Sequence, residues 1–172
     1  MRISRPAIID FEASGLGFDS FPIEVGVVLS TGDRYCALIR PEPVWQYWDD
    51  AAESLHGLTR ADLIEHGKPV RQVAQELNAF LANRVVYCDG WVVDKAWLSK
   101  LYFYAGMEPD FSLSALEMIL REAQMDIWND VNRQVLAELS LPRHRASTDA
   151  LIIQETFFRT FELTKEERTP VG

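Results

Sequence analysis

The sequence predicts an α/β domain built on a mixed sheet, and three observations predict it. Three β-branched, apolar runs follow one another within the first 40 residues, joined by short connections. From about residue 49 the apolar spacing changes to that of helices. Short apolar runs at 85–88 and 111–113 then interrupt the helical stretches, so strands and helices alternate in the second half of the chain.

The first strand is Pro6-Ala7-Ile8-Ile9-Asp10-Phe11-Glu12, ended by Ser14-Gly15-Leu16-Gly17. Ile23 to Leu29 is the second, Thr31-Gly32-Asp33 a tight turn, and Arg34 to Arg40 the third, closed by Pro41 and Pro43. Such a series reads as an antiparallel meander. A short helix covers about 49–55, and Thr59 with Asp62 three residues on marks a second helix start, which His66-Gly67 ends. Val70, Val73, Leu77, Phe80 and Leu81 share one helical face. Val85 to Cys88 reads as a buried strand, and Val92 to Tyr104 as an aromatic-rich helix ended by Gly106. Phe111-Ser112-Leu113 is a short strand, followed by helices over about 114–123 and 126–139; Pro142 breaks the second. The last helix runs from Ala146 to Phe161, with Ala150, Ile153, Phe157 and Phe161 on one face.

The 172 residues suit a single domain, 1–172, with a core over about 6–161 and a polar tail at 164–172. Seventeen basic against 26 acidic side chains give a net charge of −9, which argues against holding a polyanion by bulk attraction. Cys36 and Cys88 stand apart, with no Cys/His cluster that would suit zinc, and two isolated cysteines fit a reducing compartment. The basic residues of Met1 to Pro6 are not followed by an apolar stretch, so no signal peptide or membrane span is expected and a cytoplasmic location is the default.

Three groups of residues carry chemistry. Asp10 and Glu12, two apart on a strand, point to the same face. Two carboxylates side by side repel unless a cation lies between them, and oxygen ligands of this kind suit Mg²⁺ or Mn²⁺. Asp94 opens the aromatic helix, with Asp89 at the strand end as its rival. His144 and Asp149 open the last helix; histidine can take a proton from water near neutral pH, and Asp149 can complete a metal site. His56 reads as a structural histidine. Trp45, Tyr47 and Trp48 are candidates for base stacking, with core packing as the commoner use of such residues. Phe18 and Phe21 could add stacking surface, whereas Trp91, Trp97, Tyr102, Phe103 and Tyr104 read as core with some dimer contact.

Taken together, the order resembles the DEDDh family of 3′–5′ exonucleases. Ile9-Asp10-Phe11-Glu12-Ala13-Ser14-Gly15-Leu16 is similar to that family's D-x-E-T-T-G-L. Asp94-Lys95-Ala96-Trp97-Leu98 resembles F-D-x-x-F-L, and His144-Arg145-Ala146-Ser147-Thr148-Asp149-Ala150 resembles H-R-A-x-x-D-A. Leu55-His56-Gly57-Leu58-Thr59 resembles an internal H-G-I-T segment. The chain departs from the pattern at Ala13, which lacks a hydroxyl, and at Asp89-Gly90, where members commonly carry His-Asn.

The resemblance implies a ribonuclease H-like fold with a five-stranded mixed sheet, two Mg²⁺ or Mn²⁺ ions, and 3′–5′ exonuclease activity releasing nucleoside 5′-monophosphates from DNA or RNA. It implies Asp10, Glu12, Asp94 and Asp149 as ligands, with Asp10 bridging both ions, His144 as general base, and Glu12 also orienting the terminal hydroxyl or the water. Ser14, Gly15 and Leu16 are expected to contact the terminal nucleotide, and Arg145, with Arg143, a phosphate. Expected partners are 3′ ends of single-stranded or short nucleic acid, with no membrane and with a homodimer open, since related enzymes are often dimeric. Two alternatives stand beside this: a catalytically silent nucleic-acid or protein-binding module on the same fold, and a nuclease restricted to very short oligonucleotides.

Overall fold

In the computed structural model of the chain, residues 5–165 are described. The expected N-terminal basic segment and polar tail lie largely outside them. Strands β1 (Ile8–Ala13), β2 (Pro22–Val28) and β3 (Arg34–Leu38) form the antiparallel meander. Strands β4 (Val85–Cys88) and β5 (Ser112–Ala115) add to the other edge of β1 in parallel, giving the order β3-β2-β1-β4-β5. The sheet is therefore mixed and five-stranded. Helices α1 (Asp50–His56), α2 (Arg60–His66), α3 (Val70–Leu81), α4 (Trp91–Ala105), α5 (Glu122–Leu139) and α6 (Ala146–Leu163) surround it. None of the described helices is long and apolar enough to cross a membrane.

The period of two along β1 sorts its side chains. Ile9, Phe11 and Ala13 join the larger core with α3 and α4, where Val73, Ala74, Leu77 and Leu101 are buried. Ile8 faces the other way, packing with Val28, Leu116, Ala150, Ile153 and Phe157 under α6. Asp10 and Glu12 lie two and four residues beyond Ile8, so they share the face that α6 covers.

Local signals set most helix ends as expected. Thr59 and Asp62 form a full capping box at the start of α2, and Gly57 and Gly106 end α1 and α4 in the left-handed conformation. On α3, Val70, Val73, Leu77 and Leu81 are buried, while Phe80 stays half-buried against Tyr35.

One stretch departs from the sequence reading. The expected helix over 114–123 does not form. Ser114 and Ala115 continue β5, paired with Tyr87 and Cys88; a short 3₁₀ turn follows at Leu116–Met118, and one helix spans Glu122–Leu139. Residues 112–115, Ser-Leu-Ser-Ala, carry weak intrinsic preference, so the open edge of β4 decides their conformation by offering backbone partners. The break before α5 is held by Gln124, whose side chain accepts from the backbone N–H of Arg121.

Candidate active site

The acidic residues meet where β1, β4, α4 and α6 converge. Ile8 pairs with Tyr87 across the parallel β1–β4 edge, and Asp89, the residue after the last of β4, comes beside Asp10. Asp94 enters from the first turn of α4, nearly fully buried. Carboxylate oxygens of Asp10, Asp89 and Asp94 lie within 4.8 Å of one another. On the other side, ligand atoms of Glu12, His144 and Asp149 lie within 4.8 Å of one another. The structure thus brings together the four acids and the histidine that the sequence marks, and adds Asp89, which the sequence reading placed as a rival of Asp94 rather than its neighbour.

The loop before α6 is shaped around this cluster. His144 sits at φ 57°, a conformation uncommon for a residue with a Cβ, and its N–H donates to Asp149 Oδ2 at 3.0 Å. The first turn of α6 has no cap from its own N-cap residue, Arg145. Glu24 of β2, fully buried, supplies it: its carboxylate accepts from the Ala146 N–H at 2.9 Å and from the Arg145 guanidinium at 2.7 to 3.1 Å. A negative group placed at a helix N-terminus satisfies its open N–H groups and complements the dipole. Arg34 donates to the Ser147 carbonyl and hydroxyl, adding a second clamp. Gly26 completes the seat: a Cβ there would fall 2.1 Å from the Ser147 nitrogen and 2.3 Å from the Ala146 carbonyl carbon, so α6 begins in direct contact with the β2 backbone.

These contacts correct several sequence expectations. Arg145 is engaged by Glu24 and also acts on the charge of Glu12, while Arg143, exposed, lines a cavity with Asp10, Asp89 and Asp149. Ser14 is fully buried, and its hydroxyl accepts from the Phe21 N–H at 3.1 Å, so it ties the loop after β1 rather than reaching a ligand. Gly15 is also buried, under the Tyr47 ring; a Cβ there would come within 2.6 Å of Tyr47 Cε1. Leu16 alone of the three extends its side chain outward, at 80% exposure. Trp45 stacks on Phe21 inside the core and Trp48 donates to Glu53, so neither they nor Phe21 offer a stacking surface. Phe18 is fully exposed. Trp97 and Tyr102 are buried as expected, whereas Phe103 is exposed. His56 is buried, with Nδ1 accepting from the Leu58 N–H, which supports its structural reading.

Two cavities flank the acids. One, about 140 Å³, is lined by Glu12, Gly15, Leu16, His56, Trp97 and His144. The other, about 200 Å³, is lined by Asp10, Asp89, Trp128, Asn132, Arg143 and Asp149.

Burial and mutual repulsion raise the pKa values of the five carboxyl groups. Burial, then Asp94 and Asp89, hold Asp10 well above the carboxylate range. Glu12 is pushed up to about 8, by burial and by Asp149 and Glu24, and Asp94 to about 7, by burial and Asp89. Burial raises Asp89 and Asp149 as well. Between the ordinary carboxylate range and about pH 8 the folded state therefore holds more protons than the unfolded chain. Metal-free stability must fall as pH rises through that window. We expect the metal-free melting temperature to drop by about 5 °C or more from pH 5 to pH 8, since ~1 kcal/mol moves a domain of this size by about 2–4 °C. A flat profile in a thermal melt would show that the carboxylates are not crowded in solution.

A divalent cation would reverse this repulsion, and the donors fit one. They are hard oxygens, and Asp94 Oδ2 is buried with no hydrogen-bond partner among the described residues.

No family model and no curated protein matches the chain. Solved structures do. Exonuclease I of E. coli in complex with a dA16 oligonucleotide aligns at a TM-score of 0.64 and 12% identity, over 95% of this chain and 43% of that one. The fold is ribonuclease H-like, as in that exonuclease. The zinc-bound form of the E. coli exonuclease I–ssDNA complex gives a TM-score of 0.65 at 13% identity, over 94% and 41% of the two chains. Exonuclease I from Methylocaldum szegediense gives 0.63 at 10%, over 94% and 40%. The chain spans less than half the length of these structural neighbours.

Proposed function

We propose that this chain is a metal-dependent 3′–5′ exonuclease, hydrolysing terminal phosphodiesters of single-stranded or short nucleic acid to nucleoside 5′-monophosphates. The observation that carries the reading is the pair of facing triads, with the unpartnered Asp94 Oδ2 buried inside one of them. The fold it shares with exonuclease I, solved with oligonucleotides, supports the same reading.

Asp10, Glu12, Asp94 and Asp149 would hold two divalent ions, Mg²⁺ or Mn²⁺, which when bound neutralise the phosphate and acidify water. The chain's own residues do the rest. His144, held against Glu12 and Asp149, accepts a proton from the attacking water. Leu16 packs on the terminal nucleotide at the mouth of the smaller cavity, and Arg143 meets a phosphate on the side of Asp10 and Asp89. With a net charge of −9, grip on a long duplex by bulk attraction is disfavoured, and a few terminal nucleotides are the natural ligand. The same charge favours, as a second reading, a nuclease confined to very short oligonucleotides.

The test is a panel of 3′-labelled DNA, RNA and dinucleotides, with Mg²⁺ or Mn²⁺ and a chelator control. Mononucleotide release from the 3′ end, abolished by chelator and lowered about 10²–10⁴-fold in His144→Ala, is the expected result. Cleavage of dinucleotides alone selects the second reading. Binding without cleavage of any substrate selects a silent module and overturns the proposal.

A further inference from the structure

We propose that Asp89 is a direct ligand of the divalent cation that Asp10 and Asp94 hold, making that half of the site a three-carboxylate centre. The inference rests on the reading of the cluster as a metal site, and goes beyond it by assigning a residue that stands where the resembled family commonly carries a neutral-type His-Asn pair.

Three observations converge on Asp89. Asp89 directly follows β4, two residues beyond Tyr87, which pairs with Ile8 of β1, so the end of that strand delivers it beside Asp10. Its carboxylate lies within 4.8 Å of those of both Asp10 and Asp94. Asp89 stands at the solvent rim of the cluster, and backbone N–H groups at Asp89 and Gly90 hold its carboxylate towards the other two acids. The second, independent sign of a ligand is Asp94 Oδ2. Asp94 is 2% exposed, and this oxygen has no hydrogen-bond partner among the described residues. A Cβ at Gly90 would lie 3.0 Å from it, so the glycine leaves room beside this buried oxygen. Asp89 and Gly90 thus act as a pair: one brings a third carboxylate, and the other avoids crowding the Asp94 oxygen.

Three anionic oxygens around one hard cation bind it more tightly than two, and the added charge makes occupancy persist at lower free metal. Asp89 also lines a cavity of about 490 Å³ with Leu116, Leu120, Met125 and Trp128, so this carboxylate is open to solvent on the side away from Asp94.

The test titrates Mn²⁺ alone into the full chain, following free Mn²⁺ by electron paramagnetic resonance and heat by calorimetry. The wild type is expected to bind two ions. Asp89→Asn should weaken one of them by about tenfold or more and leave the other within threefold, in the manner of Asp94→Asn, whereas Asp149→Asn should weaken the other. Far-UV circular dichroism and the metal-free melting temperature, expected at or above the wild-type value in Asp89→Asn, exclude misfolding as the cause. If Asp89→Asn binds both ions within twofold of the wild type, the assignment of Asp89 is overturned while the metal site stands. If the wild type binds no Mn²⁺ at millimolar concentration, the proposed function itself falls.

Discussion

Asp10→Asn is expected to abolish cleavage and, in the same protein, to raise the metal-free melting temperature. Asp10 is the most crowded acid of the chain: it faces Asp94 and Asp89 directly, and Glu12 and Asp149 also act on its charge. In the proposed role of metal ligand it is irreplaceable by an amide, which offers one weaker oxygen. Loss of activity should be about 10³-fold or more, beyond the ~10–100-fold that changes around metal ligands cost. As a member of a repelling cluster in the metal-free chain, however, it is a liability. Burial and the neighbouring acids hold its carboxyl well above the ordinary range, so near neutral pH folding must protonate it, a cost that the neutral amide avoids, and a gain of about 3 °C or more is expected. Thermal melts with chelator, beside an exonuclease assay with metal, check both halves. Activity within tenfold of the wild type would remove Asp10 from the site. Lost activity with a lowered melting temperature would mean that the substitution damages the fold, and that the acids are not held apart at an energetic cost.

Gly26→Ala is the second large effect. No charge changes and the substitution is remote from any ligand in sequence, yet it should cost about 3 kcal/mol or more, at the upper end for overpacking. The added methyl group has no side chain to push aside. It meets the backbone of Ala146 and Ser147 at 2.1 to 2.4 Å, so the start of α6 must lift from the sheet. Glu24 then loses its grip on the Ala146 N–H and Arg145, and Asp149 and His144 move with the helix. A melting temperature lower by roughly 10 °C and an exonuclease rate at least tenfold down are expected together. A variant that melts within 2 °C of the wild type and retains its rate would show that α6 does not begin in contact with β2.

Both predictions rest on features with different visibility in the sequence. Asp10 and Glu12 are legible because a strand has a period of two: once Ile8-Ile9 and Phe11 mark the strand, the shared face of the two acids follows without a model. His144 and Asp149 are legible because a break at Pro142 and an apolar face from Ala150 onward mark a helix start. Thr59 and Asp62 were readable for the same local reason, as a capping box.

What escaped the reading is what depends on partners distant in the chain. Glu24 looked like a charged residue inside an apolar strand, and its partner lies about 120 residues away at Arg145 and Ala146. Gly26 gave no turn signal because its role is to leave room for a helix that arrives late in the sequence. Ser114 and Ala115 became strand because β4 had an edge to fill, against a helical reading of the same residues. The motif marks Ser14 as a ligand contact, yet its hydroxyl is tied to the Phe21 N–H, while Gly15 lines the smaller cavity with its other side packed on Tyr47.

By itself, then, the sequence determined the kind of sheet, the helices with clear caps or apolar faces, and the acids and histidine that the fold brings together. Each of these follows from interactions between residues near one another in the chain, where spacing stands in for geometry. Only the tertiary structure decided that Asp89 stands beside Asp94 instead of replacing it, that Arg145 serves Glu24, and that α6 rests on Gly26. Those outcomes depend on the pairing of β1 with β4 and the seating of α6 on β2. Long-range packing sets both, and no local period in the sequence encodes them.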